Sequence, residues 1–194
     1  MTKARLHPSL LELNGAMGDM VFKKRGKKVY VSIKAKPGTS EPSDAQLAQR
    51  KVFRKAIGYS KSALADETMR AFYEALAEVK ETTARALCIG DYLKAPTMDD
   101  LDLSKYRGNV GDRILMMTYD DVGMVDVNVT LTRSDGTPIE TGKAVEDGDG
   151  SGDWVYVATV PVPLGTDIFI SAEAFDRPGN RTVTSVNPIV GERN

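Results

Sequence analysis

The sequence predicts an α+β protein in which a basic β-hairpin arm and three short helices precede an antiparallel β-sandwich. The strongest sign of the sandwich lies at residues 123–132, where Val125, Val127, Val129 and Leu131 alternate with polar residues. Such a two-residue period is typical of a half-buried strand. Apolar residues recur at helical spacing between residues 44 and 93. The first third of the chain is basic and the remaining two thirds are acidic.

The composition is typical of a soluble globular protein, with 194 residues of which 41% are hydrophobic and 27% charged. The sequence contains no apolar run of about 18 residues, so we expect no membrane span. Residues 1–14 contain no continuous apolar core, so we expect no secretory signal. The expected location is therefore the cytoplasm or a phage-like particle, with export by another route left open.

The net charge of −1 conceals an uneven distribution of charged residues. Residues 1–62 carry 14 basic and four acidic side chains, a net charge of +10, whereas residues 63–194 carry 12 and 23, a net charge of −11. An asymmetry of this size usually concerns binding partners rather than the fold. It predicts a basic arm attached to an acidic body.

The arm, residues 1–42, is predicted to contain one hairpin and a linker. Met20–Lys23 and Lys28–Ile33 have strand patterns, and Arg25-Gly26 between them is suited to a turn because glycine tolerates positive φ. Two prolines and a glycine in residues 36–42 indicate the linker. Since a two-stranded hairpin is marginal in water, it needs a third partner, either the body of this chain or another subunit.

The helical segment is predicted to span residues 43–96. Ser43 or Asp44 is suited to capping the first helix, and Asp66 to capping the second. A third helix is expected from about Thr82 to Leu93, and a proline at position 96 ends it. Three helices with short connections indicate a small antiparallel cluster.

The remaining segment, residues 97–194, is predicted to be the sandwich. Residues 97–104 form an acidic connector that includes a candidate first strand. Turn signals then recur every 8–12 residues or so, including the hairpin dipeptide Asp135-Gly136. The expected inward residues include Trp154, Ile168 and Ile170. The six predicted strands are Arg113–Tyr119, Val125–Thr132, Pro138–Ala144, Asp153–Thr159, Asp167–Phe175 and Arg181–Val186.

Several stretches of the C-terminal half resemble bacterial immunoglobulin-like modules, which occur as repeats on surface and phage proteins. The matching stretches are G-D-R-I at 111–114, V-D-V-N-V-T-L at 125–131, D-G at 135–136, W-V-Y-V-A-T at 154–159 and S-A-E-A-F-D-R-P-G-N at 171–180. The resemblance covers about residues 105–190 and implies a spacer or attachment unit without catalytic residues. The N-terminal half is loosely similar to small bacterial proteins of uncharacterised function.

The residues needed for catalysis are sparse, so we expect a protein that is not an enzyme and has no cofactor. His7 is the sole histidine and falls in the irregular N-terminal segment. Cys88 falls among apolar residues of a helix, where a buried and unreactive thiol is expected. Zinc ligands at usable spacing are absent, and the glycine-rich stretch at residues 15–20 precedes a strand rather than a helix.

The stretch at residues 147–153 resembles the first half of a calcium-binding loop. Asp147, Asp149, Ser151 and Asp153 supply oxygens at alternate positions, and glycine stands sixth. The twelfth position is Ala158, so the usual bidentate glutamate is missing. A solvated loop is the favoured interpretation, although Asp120, Asp121 and Asp176 are further carboxylates that folding can bring near.

The basic hairpin permits three interpretations. Its lysines can bind nucleic-acid phosphates, they can guard open strand edges, or the arm of one subunit can dock on the acidic body of the next. We favour the third interpretation because it explains both charges and the unsupported hairpin. The predicted assembly residues are Phe22, Lys23, Lys24, Lys27, Lys28, Val29, Tyr30 and Val31.

The sequence therefore predicts a structural protein that self-assembles with copies of itself by strand exchange. The expected product is a filament, a tube or a phage-like particle, such as part of a virion or appendage. The alternative is a calcium- or glycan-binding adhesion module. Nucleic-acid binding through the arm is the third hypothesis.

Overall fold

The computed structural model describes residues 15–25, 28–36, 41–148 and 153–191. Within these residues the protein is α+β, with three helices and three antiparallel sheets. The chain divides into two compact units, residues 1–49 and residues 50–194. The finer division into arm, helical segment and Ig-like sandwich remains a prediction. None of the helices in the described parts is both long and apolar enough to cross a bilayer.

The first unit contains a three-stranded antiparallel sheet in the order β1-β2-β3, formed by Gly15–Met17, Met20–Arg25 and Lys28–Ile33. The expectation of a two-stranded hairpin was therefore incomplete. Gly18, at φ +59°, lies in the tight turn that returns β1 onto β2. The predicted hairpin thus has a third strand, β1, whose three residues are too few to show a strand pattern in the sequence.

The helices are α1 (Asp44–Ala65), α2 (Glu67–Val79) and α3 (Ala84–Leu93). The predicted helix positions are confirmed, but α1 has 22 residues and is not short. The caps explain where they begin. Ser43 and Gln46 form a reciprocal capping box at the start of α1.

The other two helices also begin at side-chain caps. The Asp66 carboxylate accepts a hydrogen bond from the Met69 amide at 2.9 Å, as the sequence predicts. The Thr83 hydroxyl accepts one from the Ala86 amide at 3.2 Å. Tyr73 of α2 is fully buried in the small core that these helices share with Ala63 and Cys88.

Within the described residues, the second unit also contains two four-stranded antiparallel sheets, in the orders β11-β10-β6-β7 and β4-β5-β9-β8. All six predicted strands are present, with ends that differ by at most two residues, and β8 was not expected. The strands are β4 (Thr97–Met98), β5 (Arg113–Tyr119), β6 (Met124–Arg133), β7 (Pro138–Lys143), β8 (Val145–Glu146), β9 (Asp153–Val157), β10 (Ile168–Asp176) and β11 (Arg181–Val186).

One hydrophobic core joins the two sheets and follows the predicted alternation. Residues opposite each other on β6 and β10 share a face, as Val129 does with Ala172. The predicted inward residues Val127, Val129, Leu131, Ile168 and Ile170 are all fully buried. Burying each such side chain contributes about 1.5–3 kcal/mol.

Two further residues were predicted to face this core. Trp154 is half-buried and packs against it. The Val125 side chain lies outside the part of the chain that the structure describes.

The Asp135-Gly136 turn between β6 and β7 forms as predicted. Gly136 has φ +87°, which suits glycine, and its amide donates to the Arg133 carbonyl. The Asp135 carboxylate accepts a hydrogen bond from the Thr137 amide at 2.8 Å. This turn holds β6 and β7 in register at one edge of their sheet.

Candidate functional site

The three-stranded sheet β1-β2-β3, which we call the arm sheet, has one strongly apolar face. Residues directly opposite in antiparallel strands point to the same side, so the pairs Met17–Met20, Met20–Ile33 and Phe22–Val31 share a face. We call this surface the apolar face of the arm. Its members are Met17, Met20, Phe22, Val29, Val31 and Ile33.

Most of the apolar face of the arm is exposed. The exposed fraction is 80% for Ile33, 56% for Met17 and 44% for both Met20 and Val31, whereas Phe22 is buried at 6%. Grouped apolar side chains in contact with water are typical of an interaction surface. The face therefore exposes four large apolar side chains to solvent and has one buried aromatic ring, that of Phe22, on the middle strand.

The predicted assembly residues divide between the two faces of the sheet. Phe22, Val29 and Val31 lie on the apolar face, together with Lys24. Lys23 and Tyr30 pair with each other on the opposite face, where both are exposed. Lys27 and the side chain of Lys28 lie outside the described residues. Basic and apolar groups thus lie close together at the end of the sheet where the chain passes from β2 to β3.

The first half of α1 is also exposed. Residues 43–55 are all exposed, although apolar side chains occur among them. Leu47, Val52 and Phe53 have exposed fractions of 48%, 42% and 44%. Burial on α1 begins at Ala56. This part of the helix therefore adds apolar surface next to the arm in sequence.

The predicted calcium loop is described at its two ends. Asp147 forms an ion pair with Arg113 at 3.4 Å, and its amide donates to the Asp153 carbonyl at 2.8 Å. Asp149 and Ser151 lie outside the described residues. The loop's ability to bind calcium therefore stays a prediction.

Two carboxylates that were considered as additions to this loop lie in a different cluster. Asp120 and Asp176 each place a carboxylate oxygen within 4.8 Å of the other and of one from Asp91. We call these three residues the acidic cluster. Asp121 is not a member, because it pairs with Lys94 and accepts a hydrogen bond from the Tyr119 hydroxyl at 3.0 Å.

Asp91 enters the cluster from α3. Asp91 is only 3% exposed, and its Oδ2 atom accepts a hydrogen bond from the Tyr73 hydroxyl. The Tyr59 hydroxyl lies 2.8 Å from that of Tyr73 and extends the chain of hydrogen bonds. The Oδ1 atom of Asp91 is buried without a hydrogen-bond partner.

Asp176 enters from the end of β10, where the turn to β11 begins, within the stretch that carries the resemblance. Its two carboxylate oxygens accept hydrogen bonds from the Asn180 amide at 2.6 Å and from Asn180 Nδ2 at 2.7 Å. Asn180 Nδ2 also donates to the Asp91 and Tyr92 carbonyls, at 3.1 and 3.3 Å. This turn is therefore tied to the end of α3.

Asp120 enters from the connection between β5 and β6. Its Oδ1 accepts hydrogen bonds from the Val122 and Gly123 amides, both at 2.7 Å. These bonds leave Oδ2 available to another partner. Asp120 is half-buried, whereas Asp91 and Asp176 are buried, so it is the most exposed member of the cluster.

Burial and mutual repulsion act on the carboxyl groups of the cluster. Burial raises the pKa of Asp91 to about 6; the Tyr73 hydrogen bond opposes this rise, and the charges of Asp120 and Asp176 add to it. Burial is also the main reason that the pKa of Asp176 lies above its usual value. The cluster thus disfavours three negative charges unless a positive partner joins them.

Sequence reasoning did not single out Asp91. The available signal was its place on the buried face of α3, one helical turn after Cys88. A carboxylate at such a position needs a partner. Cys88 is fully buried as expected, and burial raises its pKa to about 11.

Comparisons with known proteins give little further information. No family model matches the sequence, and no curated protein matches it. A solved structure with some likeness is CopC from Methylosinus trichosporium OB3b, at 11% sequence identity and a TM-score of 0.37. The alignment covers 51% of this chain and 98% of that one. A likeness of this degree supports no functional argument.

Proposed function

We propose that this protein is a non-enzymatic structural subunit that self-assembles into a filament, tube or phage-like particle through its N-terminal arm. In this proposal the sandwich is an Ig-like body that carries the arm. The observation that supports it most is the exposed apolar face of the arm.

Burial of the apolar face against a second copy supplies the driving force. Met17, Met20, Val31 and Ile33 are between 44% and 80% exposed. Covering such side chains stabilises by about 25 cal/mol for each Å² removed from water. A three-stranded sheet also has little core of its own, so docking stabilises the arm itself.

Strand addition provides the geometry. β3 stands last in the order of the arm sheet, so within the described residues one edge of Lys28–Ile33 has no neighbouring strand. An edge of this kind pairs with a strand of another chain through main-chain hydrogen bonds. A contact between unlike surfaces repeats from subunit to subunit and builds rings or open filaments.

Charge favours the same arrangement. The net charge is +10 over residues 1–62 and −11 over residues 63–194. A basic arm that meets the acidic body of a neighbour is attracted and oriented by these charges. The same charges disfavour arm-to-arm contacts. Complementary charge therefore selects an arm-to-body contact between copies.

Deletion of residues 1–36 tests the proposal. The intact protein is expected to form ordered polymers in electron micrographs. The truncated protein, which lacks residues 1–36, is expected to sediment as a monomer in analytical ultracentrifugation. Far-UV circular dichroism of the truncated protein checks that the body still folds. Polymers formed without residues 1–36, or an intact protein that stays monomeric at high concentration, would show that the arm does not drive assembly.

A matched pair of charge reversals separates the arm from general electrostatics. Lys23→Glu with Lys24→Glu is expected to weaken assembly strongly, whereas Lys105→Glu with Arg133→Glu, on the body, is expected not to weaken it, because it makes the body more acidic. High salt is expected to weaken assembly in part, because strand pairing is not screened. Salt-sensitive binding to nucleic acid without polymers would favour the nucleic-acid hypothesis instead.

A further inference from the structure

The three carboxylates of the acidic cluster come from distant parts of the chain. Asp91 lies on α3, Asp120 follows β5, and Asp176 ends β10. One carboxylate oxygen from each lies within 4.8 Å of the others. Calcium binds carboxylate oxygens at about 2.3–2.6 Å, so two oxygens on one ion are at most about 5 Å apart. The spacing of the cluster therefore fits three ligands of a single ion.

A second observation points to a missing ligand. Asp91 is 3% exposed, and its Oδ1 is buried without a hydrogen-bond partner. An unpaired carboxylate oxygen in such a place is costly unless a cation, a proton or a water molecule meets it. The other oxygen of the same carboxylate is held by Tyr73, which fixes the orientation of the group.

Within the part of the chain that the structure describes, the protein's own cations balance this charge only in part, because the charge of Arg177 lowers the pKa of Asp91 but has a smaller effect than burial. Among the described residues, no lysine or arginine forms an ion pair with the cluster. The nearby Arg177 is instead stacked on the Phe72 ring, with its guanidinium carbon 3.7 Å from the ring centre. Three converging carboxylates without a paired side-chain cation are suited to an external positive ion.

We propose that Asp91, Asp120 and Asp176 bind one divalent cation of the calcium class, which joins α3 to two connections of the sandwich. The donors are all hard oxygens, which favour calcium or magnesium over zinc or copper. Calcium is preferred because it tolerates irregular carboxylate sets, whereas magnesium demands near-octahedral geometry. Water and main-chain carbonyl oxygens complete a shell of about six to eight ligands.

The site differs from the predicted loop at residues 147–153, and it does not depend on arm-mediated assembly. Through Asp176, the Asp176–Asn180 turn would bind the ion as well as contact the end of α3. Asn180 already holds that turn to the carbonyls of Asp91 and Tyr92. A bound ion adds a second link between the same elements. Binding is therefore expected to stabilise the folded body.

Titration of the full-length, chelator-treated protein tests the proposal. Calcium at about 100 times its dissociation constant is expected to raise the thermal midpoint by about 5–10 °C. Magnesium at equal ionic strength is expected to raise it less. Terbium, which replaces calcium, is expected to show emission sensitised by a nearby tyrosine, because Tyr73 contacts Asp91. An equal or larger effect of magnesium would overturn the calcium assignment.

Three substitutions locate the ion. Asp120→Asn, at the half-buried ligand, is expected to lower calcium affinity at least about tenfold while the chelator-treated protein remains folded. Asp126→Asn, outside the cluster, and Asp149→Asn, in the loop, are expected to leave affinity unchanged. Loss of binding in Asp149→Asn but not in Asp120→Asn, or no thermal shift and no terbium emission up to about 10 mM ion, would overturn the proposal.

Discussion

The strands of the arm and those of the sandwich carry similar alternating patterns but differ in burial. On β6, Val127 and Val129 are fully buried, whereas on β3, Val31 is 44% exposed and Ile33 is 80% exposed. In the sandwich, a second sheet shares the core with β6 and β10. Among the described residues of the arm sheet, most side chains on the apolar face are exposed, and Phe22 is buried.

This difference separates two kinds of information in an alternating pattern. A two-residue period indicates a strand with one apolar face, but it does not indicate what covers that face. In the body, the cover is another part of the same unit. In the arm, we infer that the cover is a second copy.

The largest expected effect comes from one substitution made in each region. Val127→Asp is expected to lower the free energy of unfolding of the body by about 3–5 kcal/mol, because it buries an unpaired charge. Val31→Asp is expected to change it by less than about 0.5 kcal/mol and to weaken assembly. Denaturant unfolding followed by Trp154 fluorescence, in dilute protein, measures both changes.

The single tryptophan makes this comparison specific, because it packs against the sandwich core. Equal losses of stability for the two variants would contradict the distinction between a covered and an uncovered face. Normal assembly of Val31→Asp would contradict the role of the apolar face.

A smaller effect is expected for loss of a tyrosine hydroxyl. Tyr73 is fully buried and its hydroxyl lies between Tyr59 and Asp91, so Tyr73→Phe is expected to cost about 1–3 kcal/mol. Tyr30→Phe, at a position 52% exposed in the arm, is expected to cost less than about 0.5 kcal/mol. Thermal unfolding compares them. A neutral Tyr73→Phe would show that the hydrogen-bonded chain does not stabilise the body.

The last comparison places one thiol in each region. The two thiols are expected to differ widely in reactivity, and this comparison involves the smallest expected effect on stability. Cys88 is fully buried with a pKa raised to about 11, so its alkylation near pH 8 is expected to be slow without denaturant. A thiol placed by Ile33→Cys in a Cys88→Ala background is expected to react quickly in dilute protein and slowly after assembly. Rapid alkylation of Cys88 in the folded protein would contradict its burial.

The raised pKa of Cys88 also has a consequence for stability. Between about pH 9 and 11 the unfolded thiol loses its proton while the folded thiol keeps it. This group's contribution to stability is therefore constant below pH 9 and declines as the pH rises above it. Cys88→Ala is expected to remove that part of the alkaline decline in a series of unfolding curves. An unchanged decline would contradict it.

The sequence was sufficient for the elements with clear periods. The six long strands and three helices were predicted because apolar residues recur along them, and the cap at Asp66 was predicted from its residue type. β1 and β8, of three and two residues, are too short to show a period. They form because a tight turn or a neighbouring strand places them.

The acidic cluster shows the limit of sequence reasoning for sites. Asp120, Asp121 and Asp176 were named as carboxylates that folding can bring near the loop at residues 147–153, and the structure groups Asp120 and Asp176 with Asp91. Asp91 lies 29 residues before Asp120 and on a helix, so no spacing rule connects them. Their proximity results from packing of α3 against the sandwich turns.

Hydrogen exchange at increasing protein concentration tests most directly whether a second copy covers the arm. We expect the amides of Lys28–Ile33 to exchange more slowly as the protein concentration rises, and the exchange of those of Ile168–Asp176 in the sandwich not to change. Protection of Lys28–Ile33 that is the same at every concentration, in a protein that remains monomeric, would contradict it.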